Sequence, residues 1–141
     1  MQRNWLMPCN VKYFDIIKHF GEHRSVVWKN ISSATTGDVV YIYLGAPHCE
    51  IRYKCVVTSD TVDEATLKQH AYAIPQRPLS KLCCIELKYI QMELVQEYPK
   101  GTFPLKDLKE NGLGQVQVQA QTSSELQTYI NKTTSKLIFE K

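Results

Sequence analysis

The sequence lacks the patterns that mark a membrane protein or an enzyme of a common class. No apolar run approaches the roughly 20 residues that a membrane-spanning helix requires, and the N-terminal residues do not have the composition of a signal peptide. The G-x-S-x-G, H-E-x-x-H and P-loop patterns are also absent, so no nucleophile and base are indicated. We therefore expect a cytoplasmic protein without membrane contact that is not an enzyme.

The spacing of the five cysteines suits neither metal ligation nor a disulfide framework. No C-x-x-C pair occurs, the count is odd and two of the cysteines are adjacent. This usage is typical of a reducing compartment. We expect free thiols, no metal and no cofactor. The cysteines are Cys9, Cys49, Cys55, Cys83 and Cys84.

No long run of basic residues marks a nucleic-acid groove. The formal net charge is +3 and the sequence pI about 8.6, and lysines and arginines are interspersed with acidic residues. This balance permits a nucleic-acid partner without requiring one, because solvated surface lysines give the same composition.

The most informative stretch lies between residues 27 and 57. Residues 39–44 are apolar and β-branched or aromatic throughout, which predicts a strand buried on both faces. The next segment alternates, which predicts a strand with one wet face. Gly45-Ala46-Pro47 would join the two as a hairpin, and Gly37-Asp38 would start the first strand at a tight turn. In the second strand the predicted buried face holds Ile51, Tyr53, Cys55 and Val57, and the wet face holds Glu50, Arg52 and Lys54.

The remaining elements complete a small α+β domain. The first part of the chain is predicted to form a strand ending near Pro8 and a helix over residues 11–20 capped by Asn10. The middle part is predicted to form a short helix from Thr61 to Lys68, an irregular loop over 69–80 and two strands within 82–98. The last part is predicted to form a helix over 103–108 with Pro104 near its start, an extended segment over 115–119 and a final helix capped by Ser123 or Ser124. About six strands with three or four short peripheral helices suit a small closed β-barrel. We expect one domain over residues 1–141.

Several short segments, in this order along the chain, together carry a resemblance. They are N-W-L-M-P-C-N, V-V-W, T-G-D-V-V-Y-I-Y-L-G, I-R-Y-K-C-V-V and L-K-E-N-G-L-G-Q-V-Q, with Y-I-N near the end. With them the chain resembles an EVE domain of the PUA-like superfamily. The resemblance implies a pseudo-barrel related to ASCH and YTH domains, in which an aromatic-walled pocket holds a modified base such as methylated adenine or methylated cytosine. Bacterial EVE domains occur alone or attached to nucleases that restrict modified DNA, so a separately encoded nuclease is an implied partner.

A pocket for an extruded base needs aromatic plates and a few fixed hydrogen-bonding groups, with cations outside it for the phosphates. Trp28, at the root of the loop over residues 29–36, is the best candidate plate. The other candidate plates are Tyr13, Phe14, Tyr41 and Tyr43, and the candidate edge-reading groups are Asn10, Lys29 and Asn30. Arg77, Gln115 and Gln117 are candidates for the nucleic-acid backbone.

Each candidate also has a purely structural interpretation. Trp28, Tyr13, Tyr41 and Tyr43 fit a hydrophobic core, Asn10 fits a helix cap, and the glutamine row fits the wet face of an edge strand. A small-ligand or protein-interaction module with the same barrel pocket is therefore the alternative function. The sequence leaves open whether the base belongs to DNA or RNA, which modification it bears and the oligomeric state.

Overall fold

The computed structural model describes residues 3–12, 14–29, 34–61, 89–114 and 119–139. The described helices and strands are short, apart from β4, β5 and the last helix. In chain order they are β1 (Asn4–Cys9), α1 (Ile16–Glu22), β2 (Ser25–Lys29), β3 (Val39–Leu44), β4 (Glu50–Ser59), β5 (Tyr89–Glu97), α2 (Leu105–Glu110), β6 (Ala120–Gln121) and α3 (Ser124–Phe139).

The six strands form one mixed sheet in the order β2-β5-β4-β3-β1-β6. β1 runs parallel to β3, and every other neighbouring pair is antiparallel. The predicted α+β class, with about six strands and short helices, is confirmed. Within the described residues the sheet does not close into a barrel, because β2 and β6 lie at its opposite edges. No described helix is long and apolar enough to cross a membrane.

β3 lies in the middle of the sheet, and all six of its residues are buried, as predicted. Its alternate side chains enter two separate hydrophobic clusters. Val40, Ile42 and Leu44 enter the larger cluster, which also contains both tryptophans. Tyr41 and Tyr43 enter a second cluster, which α3 covers. The continuous apolar pattern of β3 therefore reflects a core on each face of the sheet.

A β-bulge in β4 overturns part of the predicted alternation. Ile42 pairs with Tyr53 but Tyr43 pairs with Ile51, so Arg52 is an extra residue on the β4 side. The shift moves Ile51 into the cluster beneath α3, whereas Tyr53 stays in the other. The prediction that these two side chains share one face is therefore wrong.

Glu50 is also misplaced by simple alternation, since it is buried with 4% of its surface exposed. Its Oε1 accepts a hydrogen bond from the backbone N–H of Gly101 over 2.9 Å. This contact satisfies the buried carboxylate and fixes the turn before α2.

Capping residues set the helix boundaries. α1 begins at Ile16 because Asp15 caps it, accepting a bond from the N–H of Lys18 over 3.1 Å, so the predicted start at residue 11 is wrong. Asn10 instead accepts a bond from the N–H of Lys12 over 3.0 Å in a local turn. The cap predicted for the last helix is confirmed at Ser123, whose Oγ accepts a bond from Leu126 over 3.1 Å.

The other predicted elements are described only in part. The predicted short helix at 103–108 is confirmed as α2, which follows Pro104 directly. Of the two strands predicted within 82–98, the described part contains β5. The predictions for residues 61–68 lie almost wholly, and those for 69–80 and 115–118 wholly, outside the described residues.

Candidate functional site

Five aromatic rings form a continuous row on the sheet face that carries the larger cluster. Phe14 lies 5.8 Å from Trp28 and 5.6 Å from His19, measured between ring centroids. The row continues to Phe20 at 5.5 Å and from there to Tyr53 at 4.8 Å. Every step is inclined by 56–62°, the tilted geometry that aromatic pairs prefer. Trp28 is the end of this row.

β2 and the turn after β1 position the Trp28 end of the row. Trp28 is the penultimate residue of β2, opposite Ile90 of β5, and keeps 9% of its surface exposed. Phe14 is half-buried, and its N–H donates to the carbonyl of Asn10 over 3.2 Å. Asn10 therefore supports Phe14 through its backbone, while its own side chain is engaged with Lys12.

His19 ties the helix that carries it to the strand that carries Trp28. It is buried, and its Nε2 lies 2.7 Å from the carbonyl oxygen of Ser25 at the start of β2. A carbonyl oxygen only accepts, so Nε2 carries the proton. The ring also lies 5.0 Å from His23, four residues on, an H-x-x-x-H spacing. The described residues nevertheless contain no group of three side chains able to hold a metal ion.

The two tryptophans differ in what meets the indole nitrogen. Trp5 Nε1 donates to Asp38 Oδ2 over 2.9 Å. For Trp28, no acceptor occurs among the residues that the structure describes. The described buried side-chain nitrogen and oxygen atoms all have partners, so Nε1 of Trp28, which has no acceptor among the described residues, keeps some accessible surface.

The ring row itself leaves no room for a base between Trp28 and Phe14. Their centroids are 5.8 Å apart and their planes are inclined by 56°, so the two rings are in direct contact. A base held between two parallel plates would need about twice the stacking distance. Any ligand must therefore approach Trp28 from outside the row.

Tyr41 and Tyr43, which were predicted as pocket walls, are not brought to Trp28. Both lie in the cluster beneath α3, on the other side of the sheet. The hydroxyl of Tyr41 accepts a bond from Gln127 Nε2 over 3.0 Å. Burial, with a smaller contribution from the neighbouring Cys49, raises the pKa of Tyr43 to about 12. Their surroundings are those of core residues.

Asp38 makes long-range hydrogen bonds that the sequence did not indicate. The Gly-Asp pair predicted only a local turn, and Asp38 does accept a bond from the N–H of Thr35 over 3.0 Å. It also accepts bonds from Trp5 and from the backbone N–H of Arg3, at 2.9 and 3.1 Å. Asp38 thus ties Thr35 and the start of β3 to β1, and no spacing rule indicates contacts to residues more than 30 positions away.

The structure does not describe the other predicted site residues at side-chain level. The backbone of Lys29 pairs with Tyr89 in the sheet, and its side chain lies outside the described part of the chain. The residues that lie outside it altogether are Tyr13, Asn30, Arg77, Gln115 and Gln117.

Two concave regions occur on the α3 side, remote from the aromatic row. One, of about 370 Å³, lies against Leu6, Leu113 and Leu126. The other, of about 530 Å³, lies along α3 beside Tyr129 and Lys132. Neither of these two regions has Trp28 or Phe14 in its lining, and the described residues leave no buried side-chain nitrogen or oxygen without a partner in either.

Comparison with solved structures identifies the fold. The ASCH protein from Zymomonas mobilis superimposes with a TM-score of 0.62 at 12% identity, covering 92% of this chain and 94% of that chain. A hypothetical protein from Leishmania major gives 0.61 at 17% identity, covering 97% of both chains. A protein from Pseudomonas syringae gives 0.59 at 18% identity, covering 92% of this chain and 97% of that chain.

These likenesses show that the chain shares its fold with the ASCH protein from Zymomonas mobilis, in agreement with the predicted small α+β architecture. No protein-family model matches the chain, and no curated protein matches its sequence. The narrower resemblance to EVE domains therefore stays a prediction.

Proposed function

We propose that this protein is a non-catalytic reader that binds nucleic acid carrying a modified base, with the extruded base held against the Trp28 end of the aromatic row. The observation that carries the proposal is the open indole nitrogen of Trp28 beside the half-buried ring of Phe14. The ASCH-like fold and the sequence resemblance to EVE domains support it.

The chemistry of this end of the molecule suits a neutral, flat ligand. The half-buried ring of Phe14 supplies apolar aromatic surface, and the indole N–H of Trp28 beside it supplies one directional donor. Nε1 of Trp28 has no acceptor among the described residues, so it can donate to a ligand. A base offers both a π system and edge acceptors, so it would satisfy each requirement.

Basic residues that could contact the phosphates lie near Trp28 and Phe14 in the sequence. Lys12 is exposed two residues before Phe14, and Lys29 directly follows Trp28. Arg24 is exposed immediately before β2. The acidic Asp15 and Glu22 are exposed nearby, so the local charge is modest, and binding should rely on the base more than on phosphates.

Direct binding measurements test the proposal. Short single-stranded and duplex oligonucleotides of DNA and RNA, each with and without methylated cytosine or methylated adenine, would be titrated in a fluorescence anisotropy assay. We expect one modified strand to bind about tenfold or more tightly than its unmodified counterpart, which corresponds to about 1.4 kcal/mol. Equal affinity for every modified and unmodified pair would overturn modified-base reading, and absence of binding would favour the small-ligand or protein-interaction alternative.

A further inference from the structure

We infer that Trp28 recognises its ligand through the indole N–H as a hydrogen-bond donor, and not by offering a ring face for stacking. This inference rests on the proposed function, and it specifies the ligand further: the group that meets Trp28 must carry an oxygen or nitrogen acceptor.

The first support is the amount of surface that Trp28 leaves open. Aromatic side chains bury ~150–250 Å² each, so the 9% of Trp28 that stays exposed corresponds to on the order of 20 Å². That area is smaller than one face of an indole. Phe14 covers part of the ring from one side, and the larger hydrophobic cluster takes in the rest.

The second support is which atom is open. Trp28 Nε1 has no acceptor among the described residues, yet no described buried side-chain nitrogen or oxygen lacks a partner. Both statements hold only if Nε1 belongs to the exposed fraction. Nε1 of Trp28 therefore keeps some accessible surface, while the apolar body of the side chain is packed in the larger cluster.

Trp5 shows what a purely structural tryptophan in the same cluster looks like. It is about as buried, at 6% exposed, but its N–H is bound to Asp38 Oδ2 over 2.9 Å. The indole N–H of Trp5 thus binds a carboxylate of the same chain, whereas the indole N–H of Trp28 is left for an external acceptor. The difference makes Trp5 an internal reference for Trp28.

Two parts of a nucleic acid carry suitable acceptors: the edge of the base, through a carbonyl oxygen or ring nitrogen, and the phosphate, through its oxygens. The two sources can be separated experimentally. A modified nucleoside supplies the base without phosphate, and an abasic strand of the same length supplies phosphates without the base.

The experiment follows the two indole N–H signals in the ¹H–¹⁵N spectrum of the ¹⁵N-labelled protein, with Trp28→Phe used to assign them. In the free protein we expect the Trp28 signal to exchange with solvent faster than the Trp5 signal. Addition of a strand that anisotropy shows to bind should shift the Trp28 indole signal and slow its exchange, and should leave the Trp5 signal in place. The nucleoside should reproduce the shift if the acceptor is on the base, and the abasic strand should do so if it is on the phosphate.

Affinity supplies the second readout. Trp28→Phe keeps an aromatic ring but removes the donor, and we expect it to lower affinity about fivefold for a neutral acceptor and tenfold or more for a charged one. A strand that binds while the Trp28 indole signal stays unchanged would overturn the inference and leave the proposed function standing. Full affinity in Trp28→Phe would do the same. Absence of binding by the parent protein to every strand would overturn the proposed function, and with it this inference.

Discussion

The indole nitrogen of Trp5 donates to Asp38 Oδ2 over 2.9 Å and so joins β1 to the turn that starts β3. The same carboxylate accepts bonds from the N–H groups of Arg3 and Thr35, and Arg3 Nε lies 3.4 Å from Oδ2. Asp38 is 1% exposed, so this charge is removed from water and compensated by its four donors. One side chain therefore joins β1, the start of β3 and the backbone at Thr35.

We expect Asp38→Asn to destabilise the protein by about 3–5 kcal/mol, the usual cost of breaking a buried charged network. The amide would have to present its NH₂ group to N–H donors at one of the two oxygen positions, and it would leave Arg3 without its counter-charge. Urea denaturation measures the loss. Asp60→Asn is the matched control, because Asp60 is exposed and should change stability by less than about 0.5 kcal/mol. Equal loss in the two variants would contradict this role for Asp38.

The stabilisation from Asp38 should also depend on pH. Burial by itself would raise the pKa of Asp38, but hydrogen bonds from Thr35, Trp5 and Arg3, together with the charge of Arg3, outweigh it, and the net pKa is lowered. A group with a depressed folded-state pKa stabilises the fold above its unfolded value of about 3.9, and this contribution is lost as the pH falls through the folded value. The stability difference between the parent and Asp38→Asn should therefore be constant above about pH 5 and shrink below about pH 4. Urea titrations across this range would refute the linkage if the difference stayed constant at acid pH.

Sequence reasoning succeeded where one local signal decided the structure. The apolar run of β3, the hairpin after it and the Ser123 cap each depend on a few adjacent residues, and the structure has all three. The predicted start of α1 is wrong because the sequence contains two possible capping residues, Asn10 and Asp15, and the structure uses Asp15 as the cap.

The remaining failures concern long-range geometry. Alternation in β4 breaks at Arg52, whose Nε donates to the carbonyl of Tyr98 over 3.1 Å, so the bulge coincides with a contact that no periodicity indicates. The same holds for the candidate site. The sequence predicted Trp28 and Phe14 as pocket residues, and the structure brings their rings into contact. Assigning Tyr41 and Tyr43 to the second cluster required knowledge that both faces of the sheet are covered.

Tyr41→Phe tests that assignment. The change removes the hydroxyl that accepts a bond from Gln127, and we expect a stability loss of about 0.5–1.5 kcal/mol. Gln127 keeps its bonds to Asn131 and Thr122, which limits the loss. Affinity for nucleic acid should not change, since Tyr41 lies across the sheet from Trp28. Thermal melts measure the stability and anisotropy measures the affinity for nucleic acid. A drop in affinity without a drop in stability would indicate that Tyr41 contacts the ligand.

Trp28→Ala removes both the ring and its donor. If Trp28 meets the ligand through its indole N–H, we expect an affinity loss at least as large as that of Trp28→Phe, about fivefold for a neutral acceptor and tenfold or more for a charged one. Because Trp28 is also packed in the larger cluster, the variant should lose about 3–5 kcal/mol of stability from a total of about 5–15 kcal/mol. Binding is measured at a temperature where circular dichroism shows the variant folded. Trp28→Tyr, which keeps a ring and a polar group, should recover part of both losses. A folded Trp28→Ala protein that distinguishes modified from unmodified strands as the parent does would refute the assignment.

Lys29→Ala should lower the affinity for nucleic acid without changing the preference for modified over unmodified strands. Lys29 is the last residue of β2, and we propose that it meets a phosphate of the bound strand. A phosphate contact is independent of sequence, and its loss should weaken binding to modified and unmodified strands by the same factor. It should also reduce the slope of log affinity against log salt concentration by about 1. Anisotropy titrations at several salt concentrations give both quantities, with Lys136→Ala on the exposed side of α3 as the matched control. If Lys29→Ala abolished the preference for the modified strand while affinity for the unmodified strand and the salt slope stayed at the parent values, Lys29 would be reading the base and not the phosphate.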